Sequence, residues 1–209
     1  MTWTDLSFER VVHPTQAFFE EYAKIPMLVP VRSKLQVEKI DRGLGGILLR
    51  EVPVDPYTKD LGQYEPPTEF SQKFDIEHWA FFAAYDRARA VAAATVAYKT
   101  KEIIMMDGRE DLCLLWDIRV DDAYKGRGVG SKLLEMAIAW ARDKGIRQMK
   151  IECQNINLPA IRLYHKYGAV LCTLDEYFYY DDPDCREEVA LLWYIDLQGG
   201  SADGGRVPS

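Results

Sequence analysis

The chain has 209 residues, of which 48% are hydrophobic and 28% are charged, and its 26 Lys and Arg against 33 Asp and Glu give a formal net charge of -7. This composition fits one globular domain and excludes a collagen-like or wholly disordered protein. The acidic balance argues against nucleic acid as the main partner and favours a cationic partner.

The N-terminus and the cysteines predict a cytoplasmic protein with no membrane partner. Residues 1–10 lack the basic and apolar regions of a secretory signal, and no apolar run approaches the roughly 20 residues of a membrane helix. The four cysteines form no CxxC pair, which predicts buried thiols in a reducing compartment. Because there are three histidines and no HExxH motif, we expect no metal site.

The first part of the chain predicts a short helix and a hairpin. Residues 15–24 have helical spacing, whereas residues 33–40 and 47–54 alternate like strands around a glycine-rich turn. We expect these strands to form an N-terminal hairpin extension over about residues 33–60. Residues 1–32 carry no motif that assigns them a function.

The middle of the chain predicts a long loop followed by three strands. Residues 56–72 are rich in Pro, Tyr and acidic residues, which favours a long loop or short helices. Residues 78–85 and 90–98 are apolar and are separated by a charged turn, which predicts a second hairpin. Residues 112–120 (LCLLWDIRV) predict a strongly apolar strand.

The following residues predict two helices around one strand. Apolar residues at helical spacing predict an amphipathic helix that ends at Gly145. Residues 149–153 predict a strand, and Asn157 can cap a second helix that ends at Gly168.

The last part predicts two strands, at residues 170–180 and 188–197, and then a flexible Gly- and Ser-rich tail at residues 198–209. Hairpins followed by alternating strands and helices are typical of an α/β fold with a mixed sheet and flanking helices.

Three glycines lie between a predicted strand and a predicted helix, in the sequence Tyr124–Ser131 (YKGRGVGS). Glycine lets the backbone approach a ligand closely, and a helix N-terminus binds phosphate, with added charge here from Lys125 and Arg127. The Gly-Ser-Lys order at residues 130–132 does not fit a Walker A loop, and GxGxG does not fit the GxGxxG dinucleotide fingerprint. The other alternative is a connector that binds no ligand.

The chain resembles the GNAT superfamily of acetyl-CoA-dependent N-acetyltransferases at two motifs. Residues 125–130 are similar to its R/Q-x-x-G-x-G/A loop, and residues 157–168 resemble its N-x-x-A-x-x-x-Y-x-x-x-G helix. Within this superfamily, residues 43–60, 152–157 and 188–194 resemble streptothricin acetyltransferases.

The resemblance implies a single acetyltransferase domain over residues 1–197, with its core over about residues 75–197. The implied fold is a mixed, largely antiparallel sheet with a splayed central parallel pair, flanked by helices. Proteins of this fold often pair through edge strands and C-terminal segments, so a homodimer is one expected assembly.

Acetyl-CoA is the co-substrate that the resemblance implies. Backbone N–H groups of residues 126–131 would hold its pyrophosphate, and the end of the preceding strand would pair with its pantetheine arm. Asn157 has a plain helix cap as its alternative role. The implied cofactor-binding residues are Ile118, Arg119, Val120, Lys125, Gly126, Arg127, Gly128, Val129, Gly130, Ser131, Asn157 and Tyr164.

The implied reaction is attack of a neutral amine on the acetyl thioester. A lysine-like amine has a pKa of about 10.4, so a base is needed to remove its proton near pH 7. Tyr164 is the implied acid for the departing thiolate, with a core tyrosine as the alternative. Asp117 and Glu152 are candidate bases, since a charge inside an apolar strand is costly unless it is paired or functional. A salt bridge is the alternative for each, and the sequence does not choose between them.

A small cationic amine is the acceptor that fits this sequence best. Acidic and tyrosine residues crowd residues 175–188 and would suit a polycationic substrate. Streptothricin carries a β-lysine arm and fits this description, which would make the protein an antibiotic-resistance enzyme. The alternatives are a peptide or protein amine acetyltransferase, a non-catalytic acyl-CoA-binding module and, last, a nucleotide-binding oxidoreductase.

Overall fold

The computed structural model describes residues 6–198, in which a seven-stranded sheet forms the centre of the fold. Its strands are β1 (Ser7–Val11), β4 (Ala80–Asp86), β5 (Arg89–Tyr98), β6 (Leu112–Val120), β7 (Gln148–Gln154), β8 (Val170–Asp175) and β9 (Ala190–Asp196), in the order β1-β4-β5-β6-β7-β9-β8. Strands β2 (Leu28–Lys39) and β3 (Ile47–Asp60) form a separate two-stranded sheet, here called the hairpin. Residues 199–209 of the predicted tail lie outside the described residues.

Helices connect these strands within residues 6–198. The α-helices are α1 (Gln16–Ala23), α2 (Phe70–Lys73), α3 (Val129–Asp143) and α4 (Leu158–Lys166), with short 3-10 segments at Ile40–Gly43, Pro67–Glu69, Ile104–Met106 and Asp122–Tyr124. The side chains of Thr15 and Asn157 cap α1 and α4, and Gly145 and Gly168 follow α3 and α4 with φ of 71° and 80°. No helix in this part of the chain is long and apolar enough to cross a bilayer.

β6 and β7 form the parallel pair of the sheet, and they separate part-way along their length. The paired register ends at Leu115 and Ile151, although both strands continue beyond these residues. A β-bulge at Trp116, where β6 has one residue more than β5, lies at the point of separation. All other neighbouring strands in the described sheet are antiparallel, so the predicted mixed sheet with a splayed parallel pair is confirmed.

Helices cover both faces of the sheet, and apolar side chains of successive strand residues alternate between these faces. On one face α3 packs against β4, β5 and β6 and buries Leu133, Leu134 and Ala137 completely. On the other face α1 contributes Phe19 and Tyr22 to a buried aromatic cluster. Burial on both faces fixes β6 up to the point where it separates from β7, since Cys113 and Leu115 pack on the α3 face and Leu114 packs on the α1 face.

The structure corrects two predictions about strands and adds one strand that was not predicted. β3 continues to Asp60, so residues 56–60 are not loop, because each strand of a two-stranded sheet has an open edge that tolerates proline. β8 ends at Asp175, whose carboxylate accepts a hydrogen bond from Tyr177 N and turns the chain, so residues 176–180 are not strand. β1 has no counterpart in the sequence prediction.

Asn155 connects the hairpin to the central sheet just after β7. The residue is 3% exposed, its Nδ2 donates to the Leu35 carbonyl oxygen at 2.8 Å, and its Oδ1 accepts from Val189 N at 3.0 Å. Its backbone makes two further hydrogen bonds to the same two residues. One buried residue therefore fixes the hairpin and the segment before β9 relative to β7.

We expect Asn155→Ala to lower the free energy of unfolding by about 2 kcal/mol, because the buried N–H of Val189 and the part-buried carbonyl oxygen of Leu35 lose a hydrogen-bond partner. Glu38→Ala is the matched control, since it removes an exposed ion pair with Arg50 on the same hairpin and should leave stability nearly unchanged. Urea unfolding measures both variants, and equal losses would contradict the connecting role of Asn155.

Candidate active site

A cavity of about 700 Å³, here called the glycine-loop cavity, runs along Gly126 and Gly128, between β6 and α3, and along Gly130 in the first turn of α3. Gly126 and Gly128 have φ of 71° and 85°, a left-handed conformation that favours glycine, and they turn the chain from β6 into α3. A Cβ at Gly130 would lie 3.4 Å from Val120 Cγ2, so this residue packs closely against the end of β6. The glycines therefore present backbone to the cavity.

The N-terminus of α3 adjoins this cavity and suits a phosphate group. Its N-cap is Gly128, and no side chain among the described residues caps the helix there. The N–H groups of the first turn are therefore available to an anion. The Lys125 ammonium lies nearby but is directed to the Leu28 carbonyl oxygen, at 2.6 Å, and to Asp122. This arrangement fits the pyrophosphate of acetyl-CoA.

The structure brings the residues implied for cofactor binding to the wall of this one cavity, with one exception. Arg127 lines a neighbouring cavity instead, and its guanidinium lies 5.9 Å from the centre of the Tyr124 ring. Asn157 caps α4 and also lines the glycine-loop cavity. The residues in the wall are Ile118, Arg119, Val120, Lys125, Gly126, Gly128, Val129, Gly130, Ser131, Asn157 and Tyr164.

Part of the wall comes from a segment to which the sequence assigned no function. Residues 26–30 (PMLVP), at the start of β2, line the glycine-loop cavity. The sequence signal for this segment is the pair of prolines around an apolar run, which indicates an extended conformation. The local sequence does not show which surface such a segment faces.

A second cavity of about 370 Å³, here called the carboxylate cavity, adjoins the first. The two cavities share Met27, Ile118, Arg119, Asn157 and Tyr164 in their walls. They therefore meet in the gap between β6 and β7. The rest of the second cavity is lined mainly by Tyr64, Glu65, Trp116, Asp117, Glu152, Cys153, Phe178, Tyr179, Asp182 and Cys185.

Glu152 lies directly beyond the last β7 residue that pairs with β6, and it lines the carboxylate cavity. Tyr179 donates a hydrogen bond from its hydroxyl to Glu152 Oε1. Desolvation raises the pKa of Glu152 to about 7; the bond from Tyr179 opposes this rise, and the charges of Glu65 and Glu188 add to it. A carboxyl group with this pKa exchanges protons at neutral pH, as a general base must.

Tyr164 lies on α4, in the wall that both cavities share, and is 4% exposed. Desolvation raises the pKa of its phenol well above the usual value, with smaller contributions from Cys153 and Glu152. The phenol therefore stays protonated at neutral pH and can donate. Tyr164 also belongs to the main apolar core. It is therefore both a core tyrosine and a residue of the cavity wall, the two alternatives that the sequence left open.

Asp117 and Arg119 form a buried ion pair on the α1 side of β6. Arg119 Nη2 lies 2.7 Å from Asp117 Oδ2. Arg119 is 3% exposed and Asp117 is 7% exposed. The Tyr22 hydroxyl donates to Asp117 Oδ1 at 2.8 Å, and Thr95 in turn donates to Tyr22. These contacts match the salt-bridge alternative for Asp117, whereas the hydrogen bond to Glu152 comes from a neutral tyrosine.

The acidic and tyrosine residues that follow β8 divide between the carboxylate cavity and solvent. Tyr179 and Asp182 line the cavity, whereas Tyr177 and Tyr180 are 74% and 68% exposed. Glu65 adds a carboxylate from the segment before α2, which the sequence pattern did not single out. The acidic and aromatic lining of the cavity thus comes from several distant segments of the chain and not from the residues after β8 alone.

Known proteins similar to this chain are acetyltransferases, which confirms the resemblance seen in the sequence. The acetyltransferase (GNAT) family matches residues 46–169. A streptothricin acetyltransferase from Escherichia coli is 34% identical over 84 residues, which are 40% of this chain and 48% of that protein. One from Streptomyces lavendulae is 28% identical over 148 residues, which are 68% of this chain and 73% of that protein.

A solved structure of nourseothricin acetyltransferase has a TM-score of 0.71 to this fold, with 27% identity over 92% of this chain and 99% of that chain. In sequence, the chain spans about half the length of the E. coli relative that it matches.

We expect Asp117→Asn to lower the free energy of unfolding by roughly 3–5 kcal/mol, because the Arg119 guanidinium is left buried without its counter-charge. Glu176→Gln is the control, since it removes an ion pair with Lys39 that is much more exposed. Urea unfolding of both variants provides the measurement. If Asp117→Asn were no less stable than the control, the ion pair would not be needed for the fold.

Proposed function

Because this chain belongs to the acetyltransferase (GNAT) family, we propose that it transfers an acetyl group from acetyl-CoA to a primary amine of a small cationic molecule, with streptothricin as the candidate acceptor. One observation carries the proposal: the glycine-loop cavity and the carboxylate cavity meet at Tyr164 and Asn157, in the gap between β6 and β7. An acyl group held on one side would meet an amine held on the other.

The glycine-loop cavity is the proposed site for acetyl-CoA, which supplies the activated acetyl thioester when bound. The N-terminus of α3 would hold the pyrophosphate with its first-turn N–H groups. The backbone of residues 118–120 extends past the point where β6 and β7 separate, so it would pair with the pantetheine arm as an added strand. Asn157 would contact the same arm while it caps α4.

Glu152 is the proposed base for the incoming amine. An alkylammonium group has a pKa of about 10.4, so its proton needs an acceptor near neutral pH. The carboxylate form of Glu152 is populated above about pH 7 and lies beside the junction of the two cavities. Asp117 is held by Arg119, and we assign it a structural role.

Tyr164 is the proposed acid for the leaving thiolate. Its hydroxyl carries a proton at neutral pH, and its ring lies in the wall between the two cavities. A phenol placed there would give its proton to the sulfur as the amine takes the acetyl group.

The charge of the carboxylate cavity favours a cationic acceptor. Glu65, Glu152 and Asp182 lie in its wall. Arg119 is the one Lys or Arg in this wall among the described residues, and it is already paired with Asp117. An ammonium group would therefore meet uncompensated negative charge and aromatic rings. The similarity to streptothricin acetyltransferases supports streptothricin as this acceptor.

Purified protein should release CoA thiol from acetyl-CoA when streptothricin is added. Tyr164→Phe should lower kcat about 10²-fold or more and leave the KM for acetyl-CoA nearly unchanged, since it removes a proton donor but keeps the ring. Tyr167→Phe is the matched control on the same chain segment, because its hydroxyl donates to the exposed carboxylate of Glu135. Thiol release measures all three proteins.

A panel of polyamines, aminoglycosides and lysine-containing peptides separates the alternatives. Turnover of peptides but not of streptothricin would overturn the small-molecule acceptor and favour peptide acetylation. Tight acetyl-CoA binding without turnover of any amine would overturn the enzymatic proposal and favour an acyl-CoA-binding module.

We expect kcat/KM for the amine to rise with pH through about 7, because Glu152 must lose its own proton before it can accept one. This rise is distinct from the one that the amine itself produces near its pKa of about 10.4. Glu152→Gln should lower kcat/KM about 10²- to 10⁴-fold and remove the rise near pH 7. A pH profile that kept this rise in Glu152→Gln would assign it to another group.

A further inference from the structure

Lys59 lies near the end of β3 and connects the hairpin to residues 176–189, here called the acceptor loop. Its Nζ donates to the Asp184 carbonyl oxygen at 2.7 Å and to Glu188 Oε1 at 2.8 Å, and it lies 3.4 Å from Cys185 Sγ. An ammonium group has three N–H donors, so each donor has a partner in the acceptor loop. The side chains of Lys59 and Glu188 are only 11% and 9% exposed.

The surroundings of Lys59 keep it charged in this buried position. Burial lowers its pKa, but the hydrogen bond and the charge of Glu188 outweigh this effect and raise the pKa above the ordinary value. The ring of Tyr64, which lines the carboxylate cavity, lies with its centre 5.6 Å from the ammonium. The ammonium is therefore a fixed point beside the acceptor side of the site.

The acceptor loop needs an anchor of this kind because it has no regular strand pairing of its own. Its internal hydrogen bonds are local turns, such as the bond from Tyr180 N to Tyr177 O. Asn155 holds only the last residue of the loop, Val189, and a segment held elsewhere mainly by local turns opens at low free-energy cost. Yet this loop delivers Tyr179 to Glu152 and places Asp182 in the wall of the carboxylate cavity.

We propose that Lys59 is a positioning residue for the acceptor amine: it fastens the acceptor loop to the hairpin and so holds Tyr179 against Glu152 and Asp182 in the cavity wall. The proposal rests on the proposed function, since it assumes that the amine binds in the carboxylate cavity. It adds a residue of the hairpin, remote from both signature motifs, to those that determine acceptor binding.

Lys59→Met tests the proposal, because it keeps the apolar stem of the side chain and removes the ammonium. Hydrogen exchange in peptides covering residues 176–189 should become about tenfold faster or more, the scale of one lost charge-assisted contact. The KM for the amine should rise by a similar factor, while the KM for acetyl-CoA should change by less than about twofold. A uniform rise in both KM values would contradict a role confined to the acceptor.

Lys39→Met is the matched control, since Lys39 pairs with Glu176 across the same hairpin and the same loop, but both side chains are more exposed. We expect this variant to match wild type in loop exchange and in both KM values. Effects equal to those of Lys59→Met would overturn the specific role of Lys59.

Lys59→Met also leaves the buried carboxylate of Glu188 without its counter-charge, which can impair folding. The double variant Lys59→Met/Glu188→Gln removes both charges and should fold with the same fast loop exchange. Wild-type exchange in the folded double variant would overturn the proposal. Hydrogen exchange does not require turnover, so it decides the anchoring even if no amine is acetylated, a result that would overturn the proposed function alone.

Discussion

The interruption of the β6–β7 ladder after Leu115 and Ile151 is the constraint on which the rest of the site depends. Parallel strands paired along their whole length leave no space between them, whereas these two open a gap in which two cavities meet. The bulge at Trp116 lies at this point and shifts the alternation of side chains, so that Asp117 reaches Tyr22 on the α1 face. The two cavities and the proposed acid and base therefore lie where the pairing of β6 and β7 is interrupted.

Two carboxylates flank this gap, and their partners give them different properties. Asp117 is paired with a guanidinium, so its burial is compensated by charge. Glu152 receives only a hydrogen bond from the neutral hydroxyl of Tyr179, which does not compensate its burial. Burial therefore raises the pKa of Glu152. Asp117 and Glu152 occupy similar positions in apolar strands. Their properties differ because Asp117 has Arg119 beside it, whereas Glu152 has no such contact with Arg119.

Most of the fold after β4 could be predicted because its signals are local. Glycines at positive φ, a helix cap such as Asn157 and unbroken apolar runs are encoded within a few residues of the structure that they determine. β1, residues 26–30 and Lys59 depend instead on distant partners; Lys59 contacts residues 125 and 129 positions away. The choice between Asp117 and Glu152 required the bulge at Trp116, which no periodicity in the sequence indicates.

The hairpin shares no strand ladder with the central sheet, yet it reaches both halves of the site. Residues 28–30 of β2 line the glycine-loop cavity, and Lys59 of β3 contacts the acceptor loop. With the proposed function, substitutions in the hairpin would alter which amine binds while the strands that open the gap keep their pairing. Such an arrangement would let acceptor preference change through a peripheral unit while the proposed acyl-transfer centre stays the same.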